Sequence, residues 1–387
     1  MFVYLDDMAR SVGWSAVFVC VSVLCAILGV ESQPKVNPLV VEQQLLWESK
    51  RYTYRIPIIA QTPGGALIAI AEGRKYNSGD TGSKVVEIKR STDKGSMWSS
   101  SVTILTDTQF KQGVNLGSVI VNHATRVIFL WFEHCLESQH YCERSTPYLM
   151  NSTDDGLTWN KPRNMSSVVG GAKKFVTGPG LGLQKKLAPY KGRLITCGHG
   201  DHLSDGVFCV VSDDNGTTWH AAGNMKSIPF GRKKVDGDFN PDESQLVELP
   251  DGSLMVNMRN QLHYHCRCRV VMRSTDGGET FPLEQLYLDD TLVDSGVHAS
   301  MLYHRGVLFF ANPASSTTRE DFKLRWSHDN GTTWPGLKTL WTESAGYSCM
   351  TVHDSVDGAF IFILYEKGTS TDYQWIEMIK LSIYGGL

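Results

Sequence analysis

The pattern Ser-x-Asp-x-Gly-x-x-Trp returns along this chain at a nearly fixed period. It occurs as STDKGSMW (91–98), STDDGLTW (152–159), SDDNGTTW (212–219) and SHDNGTTW (327–334). A fifth copy, STDGGETF (274–281), carries Phe in place of Trp. The starts at 91, 152, 212, 274 and 327 are 61, 60, 62 and 53 residues apart. A period of this length marks a chain of repeated units, each burying its apolar face against the next.

One copy reads as a hairpin turn. The Ser and Asp side chains bond nearby backbone N–H groups, Gly takes the positive φ, and the aromatic anchors the turn from beneath. The flanks LIAIAEG, RVIFLWF, RLITCGH, VFCVVS, SLMVNMR, VLFFANP and FIFILYE are short, apolar and β-rich, with Gly, Asp, Asn and Pro between them. No long amphipathic helix is evident. Roughly 350 residues at about 60 per unit give six units of about four short strands, so the expectation is an all-β, six-bladed β-propeller spanning 34–387 as one domain. Each box is then a scaffold turn and not a reactive group.

Residues 1–33 stand apart. Val12 to Val30 form an apolar run that Glu31, Ser32 and Gln33 break, as in a secretory signal peptide. The run is also long enough to span a membrane, and Asp6 and Asp7 outweigh Arg10 ahead of it, so a retained anchor stays open. Either way the rest of the chain enters the lumen. Four glycosylation sequons start at Asn151, Asn164, Asn215 and Asn330. Of nine cysteines, Cys20 and Cys25 fall in the leader and seven remain. An odd number leaves at least one thiol free or paired between chains. Cys135 and Cys142 could close a short loop, and Cys197 and Cys209 could bridge neighbouring strands. Cys266 and Cys268 face the same side of a strand, so no bond is expected between them.

The net charge of −3 offers no general attraction to nucleic acid, so any anionic ligand must be met by a local arginine cluster. The compact run His263, His265, Cys266, Cys268 lacks a second ligand pair at zinc spacing, and no metal is expected. No Ser/His/Asp pattern or phosphate-binding glycine loop is present, and no cofactor is expected.

Tyr54-Arg55-Ile56-Pro57 ahead of the first box, together with the boxes themselves, resembles the sialidases. The likeness runs over roughly 40–387 and is similar above all to vertebrate lysosomal sialidases. The segments EQQLLW, NLGSVI, CGHG, DGVFC, DFNPDE, YHCRCR, LRWS, GYS, LYEKG and SIYGGL carry it. The resemblance implies an exo-α-sialidase that removes terminal sialic acids with retention. Sialic acid bears a carboxylate on its anomeric carbon, and planar guanidinium groups suit it better than lysine does. By resemblance Arg55, Arg259 and Arg325 form that triad, Arg74 lies near the sugar, and Glu366 orients Arg55. A carboxylate nucleophile would be repelled by the substrate's own charge, whereas a neutral tyrosine is not. Tyr347 in AGYSC is the implied nucleophile and Glu243 in NPDESQ its base. Asp80 on the loop GRKYNSGDTGS is the implied acid/base, a role that calls for a raised pKa.

The resemblance also implies the lysosomal lumen and sialylated oligosaccharides, glycoproteins and glycolipids as substrates. Its implied partners are a serine carboxypeptidase called protective protein and β-galactosidase; a homo-oligomer stays open. Two other readings are an Asp-box propeller that binds sialoglycans or protein ligands without cleaving them, and a trans-sialidase.

Overall fold

The computed structural model describes residues 34–108, 113–136, 142, 144–200, 205–355 and 358–384. The expected leader, with Cys20 and Cys25, lies outside them. One compact unit covers Val36–Leu387. It is all-β: among the described residues the strands are interrupted by a single 3-10 turn at Leu283–Gln285 and by no α-helix.

The chain forms five sheets in a propeller-like arrangement. Thr53–Gln61, Leu67–Arg74, Lys84–Ser91 and Val102–Leu105 make a four-stranded antiparallel meander. The same meander recurs in Pro241–Glu248, Leu254–Asn260, Cys268–Ser274 and Tyr287–Val293. Two further sheets centre on Val114–Asn122 to Ser145–Ser152 and on Leu194–Gly200 to His220–Lys226. The fifth has seven strands, and the 20-residue strand Gly336–Ser355 runs through it. Residues 336–344 of that strand pair with Glu320–Ser327, and residues 345–355 pair with Gly358–Lys367. The early strand Leu39–Glu48 closes the outer edge by pairing with Trp375–Ser382.

All five boxes are the turns the sequence suggests. In each, the Ser hydroxyl accepts from the Gly N–H, at 2.9 Å for Ser91–Gly95 and 2.8 Å for Ser327–Gly331. That hydroxyl also donates to the box Asp, whose Oδ1 accepts the N–H four residues on, as in Asp154–Thr158 at 2.9 Å. The backbone turns through positive φ at the residue before Gly, for example Lys94, Asp155 and Asn330. Trp219, Phe281 and Trp334 are buried beneath their turns. The glycine itself packs on the neighbouring sheet: a Cβ at Gly156 would sit 3.1 Å from Ile68. The repeat thus couples each turn to its neighbour.

Cys135–Cys142 and Cys197–Cys209 are bonded, and Cys349 is a buried free thiol. Cys266 and Cys268 are also bonded to each other, contrary to expectation. The strand begins only at Cys268. Ahead of it the chain turns, with His263 and His265 at positive φ, which brings the two Cα atoms to 5.3 Å. Among the sequons, Asn164 and Asn215 are exposed while Asn151 and Asn330 are half-buried.

Candidate active site

The pocket forms where innermost strands lose register with their neighbours. Shifts fall between Arg55 and Ile58, Leu116 and Val119, Pro241 and Ser244, and Ala345 and Ser348. A bulge turns a side chain away from strict alternation. Here it does so beside Arg55, Glu243 and Tyr347. Ile56 in the first bulge has φ 57, a left-handed value that is costly for a β-branched residue.

Glu366 compensates for that conformation. Fully buried, its Oε1 accepts from Ile56 N at 2.8 Å and Arg55 Nε at 2.7 Å. Its Oε2 accepts from Arg55 Nη2 at 3.1 Å and Tyr347 N at 2.9 Å. One carboxylate therefore fixes the guanidinium and two backbone segments. Gly346 makes room, because a Cβ there would lie 2.3 Å from Glu366 Oε2.

Tyr347 is buried, and its hydroxyl donates to Glu243 Oε1. Arg259 Nη1 donates to Glu243 Oε2 at 2.7 Å and to Tyr347 Oη at 3.3 Å. Burial and the Glu243 charge push the phenol well above its usual range. Burial would raise Glu243 too, but Arg259, His199 and His298 outweigh it and hold the carboxyl well below its usual range. The proton therefore rests on Tyr347, and Glu243 is ionised and accepts its hydrogen bond. His298 is buried and stacks on the Tyr347 ring, centroids 5.3 Å apart.

Arg319, and not the expected Arg325, lies beside Tyr347. Arg55 and Arg319 place their guanidinium carbons 5.2 and 5.6 Å from the centre of the Tyr347 ring. Arg319 is held by Asp372 at 3.0 Å. Arg325 instead sits within Glu320–Ser327, registered with Phe310 and Leu337, and faces Asp289 and Asp321. The reason is direction along the strand. The Asp boxes occupy the strand ends far from the pocket, as Lys84 at the pocket end and Ser91 at the box end of one strand show. Arg325 lies two residues before Ser327, at the box end. Arg319 immediately precedes the other end, roughly 20 Å away at about 3.3 Å per residue.

Asp80 and Arg74 line the same pocket, and Arg74 Nη1 reaches Asp80 Oδ1 at 3.0 Å. Asp80 does not have the raised pKa expected of an acid/base. Burial acts upward, but Arg74, Lys84 and Arg55 outweigh it and lower the carboxyl. The remaining wall includes Asn115, Glu133, Lys174 and His199, with His199 Nε2 at 3.2 Å from Asp242 Oδ1. Arg319, Asp372, His199 and His298 were missed from sequence. Arg319 had a usable signal in its place just before a box-bearing strand; the histidines had none.

Residues 65–361 match the BNR repeat-like domain family. Over 378 residues the chain is 30% identical to a sialidase of Micromonospora viridifaciens, covering 90% of this chain and 55% of that protein. It is 28% identical to a sialidase of Bacteroides fragilis, over 85% of this chain and 62% of that one. A 26% identity to Sialidase-4 of Mus musculus covers 48% of this chain and 44% of that protein. The chain thus spans a little over half the length of the two bacterial relatives. Among solved structures it superposes on the Hadza microbial sialidase Hz136 with a TM-score of 0.69 at 25% identity, over 84% of this chain and 65% of that one.

Proposed function

This chain belongs to the sialidases of the BNR-repeat family, and on that premise we propose that it is an exo-α-sialidase hydrolysing terminal sialic acids with retention of configuration. The observation that carries the reading is the neutral Tyr347 hydroxyl hydrogen-bonded to an anionic Glu243, with Arg259 bridging both. We count six blades, the seven-stranded sheet being two that share the strand Gly336–Ser355.

Arg55, Arg259 and Arg319 converge on Tyr347 and receive the substrate carboxylate. Tyr347 Oη then attacks the anomeric carbon as its proton passes to Glu243. The glycosidic bond breaks, and Asp80 in its acid form protonates the departing oxygen. The tyrosyl–sialyl intermediate is resolved when water, deprotonated by Asp80, attacks the same carbon. Tyr347 leaves and recovers its proton from Glu243. Two displacements at one centre retain configuration. The lowered pKa of Asp80 leaves little acid form at neutral pH, so the mechanism favours acidic conditions.

We place the protein in the lysosomal lumen, acting on sialylated oligosaccharides, glycoproteins and glycolipids. The apolar leader, the exposed sequon residues Asn164 and Asn215, and three disulfides support a lumenal chain. A complex with protective protein and β-galactosidase belongs to the same proposal and rests on the resemblance to lysosomal sialidases. The test is release of umbelliferone from an umbelliferyl α-sialoside by the full chain, beside Tyr347→Phe. Activity lost in the variant supports the reading. A wild-type chain that binds sialoglycans but cleaves nothing, with or without protective protein, would make it a binding propeller.

A further inference from the structure

Lys84 is an unusual residue to find at the pocket. Its side chain is fully buried, although lysine ordinarily keeps its ammonium in water. It opens the strand Lys84–Ser91 opposite Arg74, and the loop 75–83 joins the two. Its Nζ donates to the carbonyl oxygen of Asp80 at 2.8 Å and to Asn115 Oδ1, and lies 3.3 Å from Glu72 Oε2. Glu72 is itself fully buried. It accepts from Arg74 Nε at 3.0 Å and from Leu116 N at 2.6 Å.

Asp80 is thus held at two points by two cations. Arg74 takes its carboxylate and Lys84 its main chain. Around Asp80 the other ties are local, Asn77 Oδ1 accepting from Gly79 N at 2.8 Å and Arg74 Nη1 donating to Ser78 O, while the two ends of the loop are tied to Asp107 by Lys75 Nζ and Ser83 Oγ. Because Lys84 also grips Asn115 on the next sheet, the loop is referenced to two sheets at once. The Asp80 side chain itself is 60% exposed, so packing does little to place it.

We propose that Lys84 is a positioning residue for Asp80, fixing where the carboxyl meets the leaving-group oxygen. The inference rests on the sialidase reading and extends it to a residue that does not touch the reacting atoms. Burial of the ammonium is offset by Glu72 and Asp80, and the balance leaves its pKa lowered to about 8, so the clamp is charged under acidic conditions. The charged groups facing Asp80 are Arg74, Lys84 and Arg55, with Glu72 behind them.

Leaving-group chemistry separates this role from simple scaffolding. An aryl sialoside departs as a phenolate and needs little protonation; sialyllactose departs as a sugar alkoxide and needs Asp80. In the full chain, Lys84→Met should lower kcat/KM for sialyllactose by roughly 100-fold and for the aryl sialoside by less than about threefold. Asp80→Asn should show the same contrast, and Lys84→Arg should recover part of the loss. Removing a cation beside Asp80 should also move the alkaline limb for sialyllactose to higher pH. Equal losses on both substrates, or none on either, would overturn the inference and leave the sialidase reading intact. A wild-type chain that cleaves neither substrate would overturn both. If Lys84→Met does not fold because buried Glu72 loses one of its two cationic partners, Lys84→Met with Glu72→Gln removes both charges and must show the same contrast.

Discussion

Arg55 and Glu366, 311 residues apart in the chain, form a buried two-point ion pair whose carboxylate also holds the backbone of Ile56 and Tyr347. Replacing Glu366 by Gln puts an amide donor among four N–H donors and leaves Arg55 without its counter-charge. Breaking a buried pair on one side costs about 3–5 kcal/mol. Urea unfolding of Glu366→Gln should show that loss, with KM for sialosides raised because Arg55 is no longer aimed. An unchanged unfolding midpoint would contradict this account.

Tyr347→Phe keeps the ring that stacks on His298 and removes only the hydroxyl. Hydrolysis should fall by about 1,000-fold or more, because the nucleophile is gone while the arginines still bind. Sialic acid should still protect the variant against thermal unfolding. Full activity in the variant would exclude a tyrosine nucleophile.

The two arginines around the last box should separate cleanly. Arg319→Ala removes a charge-assisted contact to the substrate carboxylate, worth about 1.5–3 kcal/mol, so kcat/KM should drop by roughly 10- to 150-fold. Arg325→Ala, next to the box turn, should change kcat/KM by less than about twofold and act mainly on stability. Steady-state kinetics of both variants decide the assignment, and a larger loss for Arg325→Ala would reverse it.

Stability should fall with acid in two separate windows. Burial pushes His298 down to about 4 from 6.5, with Glu243 opposing and Arg269 and Arg259 assisting. Between those values the unfolded chain binds the extra proton, so stability declines as pH drops from 6.5 toward 4, by roughly 3 kcal/mol in all. His298→Gln should flatten the fall of melting temperature across that range; an identical slope in the variant would refute it. The box carboxylates Asp154 and Asp214 sit at about 2, held by Thr158 and Thr218. Their contribution is complete above the usual carboxylate range and is lost progressively as pH falls from 3.8 through about 2.

The scaffold is legible because an Asp box is local: the same three hydrogen bonds form within eight residues in each of five copies. Arg55, Asp80, Glu243, Arg259, Tyr347 and Glu366 were likewise legible from motifs, and the structure brings them to one pocket. Arg325 was misplaced because LRWS names a residue type without saying which end of the strand faces the pocket. Asp80 was expected to ionise late because a loop carboxylate gives no hint that Lys84 is buried beneath it. Cys266 and Cys268 read as one strand, but the strand starts only at Cys268, two residues later than that reading needs. Each miss concerns direction, burial or element boundary, which depend on the packed molecule.

The strand Leu39–Glu48 finishes a sheet whose other members all lie from Ser300 onward. Its partner Trp375–Ser382 is made only after every other strand of that sheet, and until the two meet each offers a bare edge of hydrogen-bonding groups. The pairing is therefore a clasp fastened only after the strands between them exist, and its long range makes that a slow step. Arg55 lies on the first meander while Tyr347 and Glu366 lie on the sheet this pairing completes, so the pocket is assembled only when the clasp shuts. A nascent chain stalled just short of it would carry five finished turns and an aggregation-prone open rim.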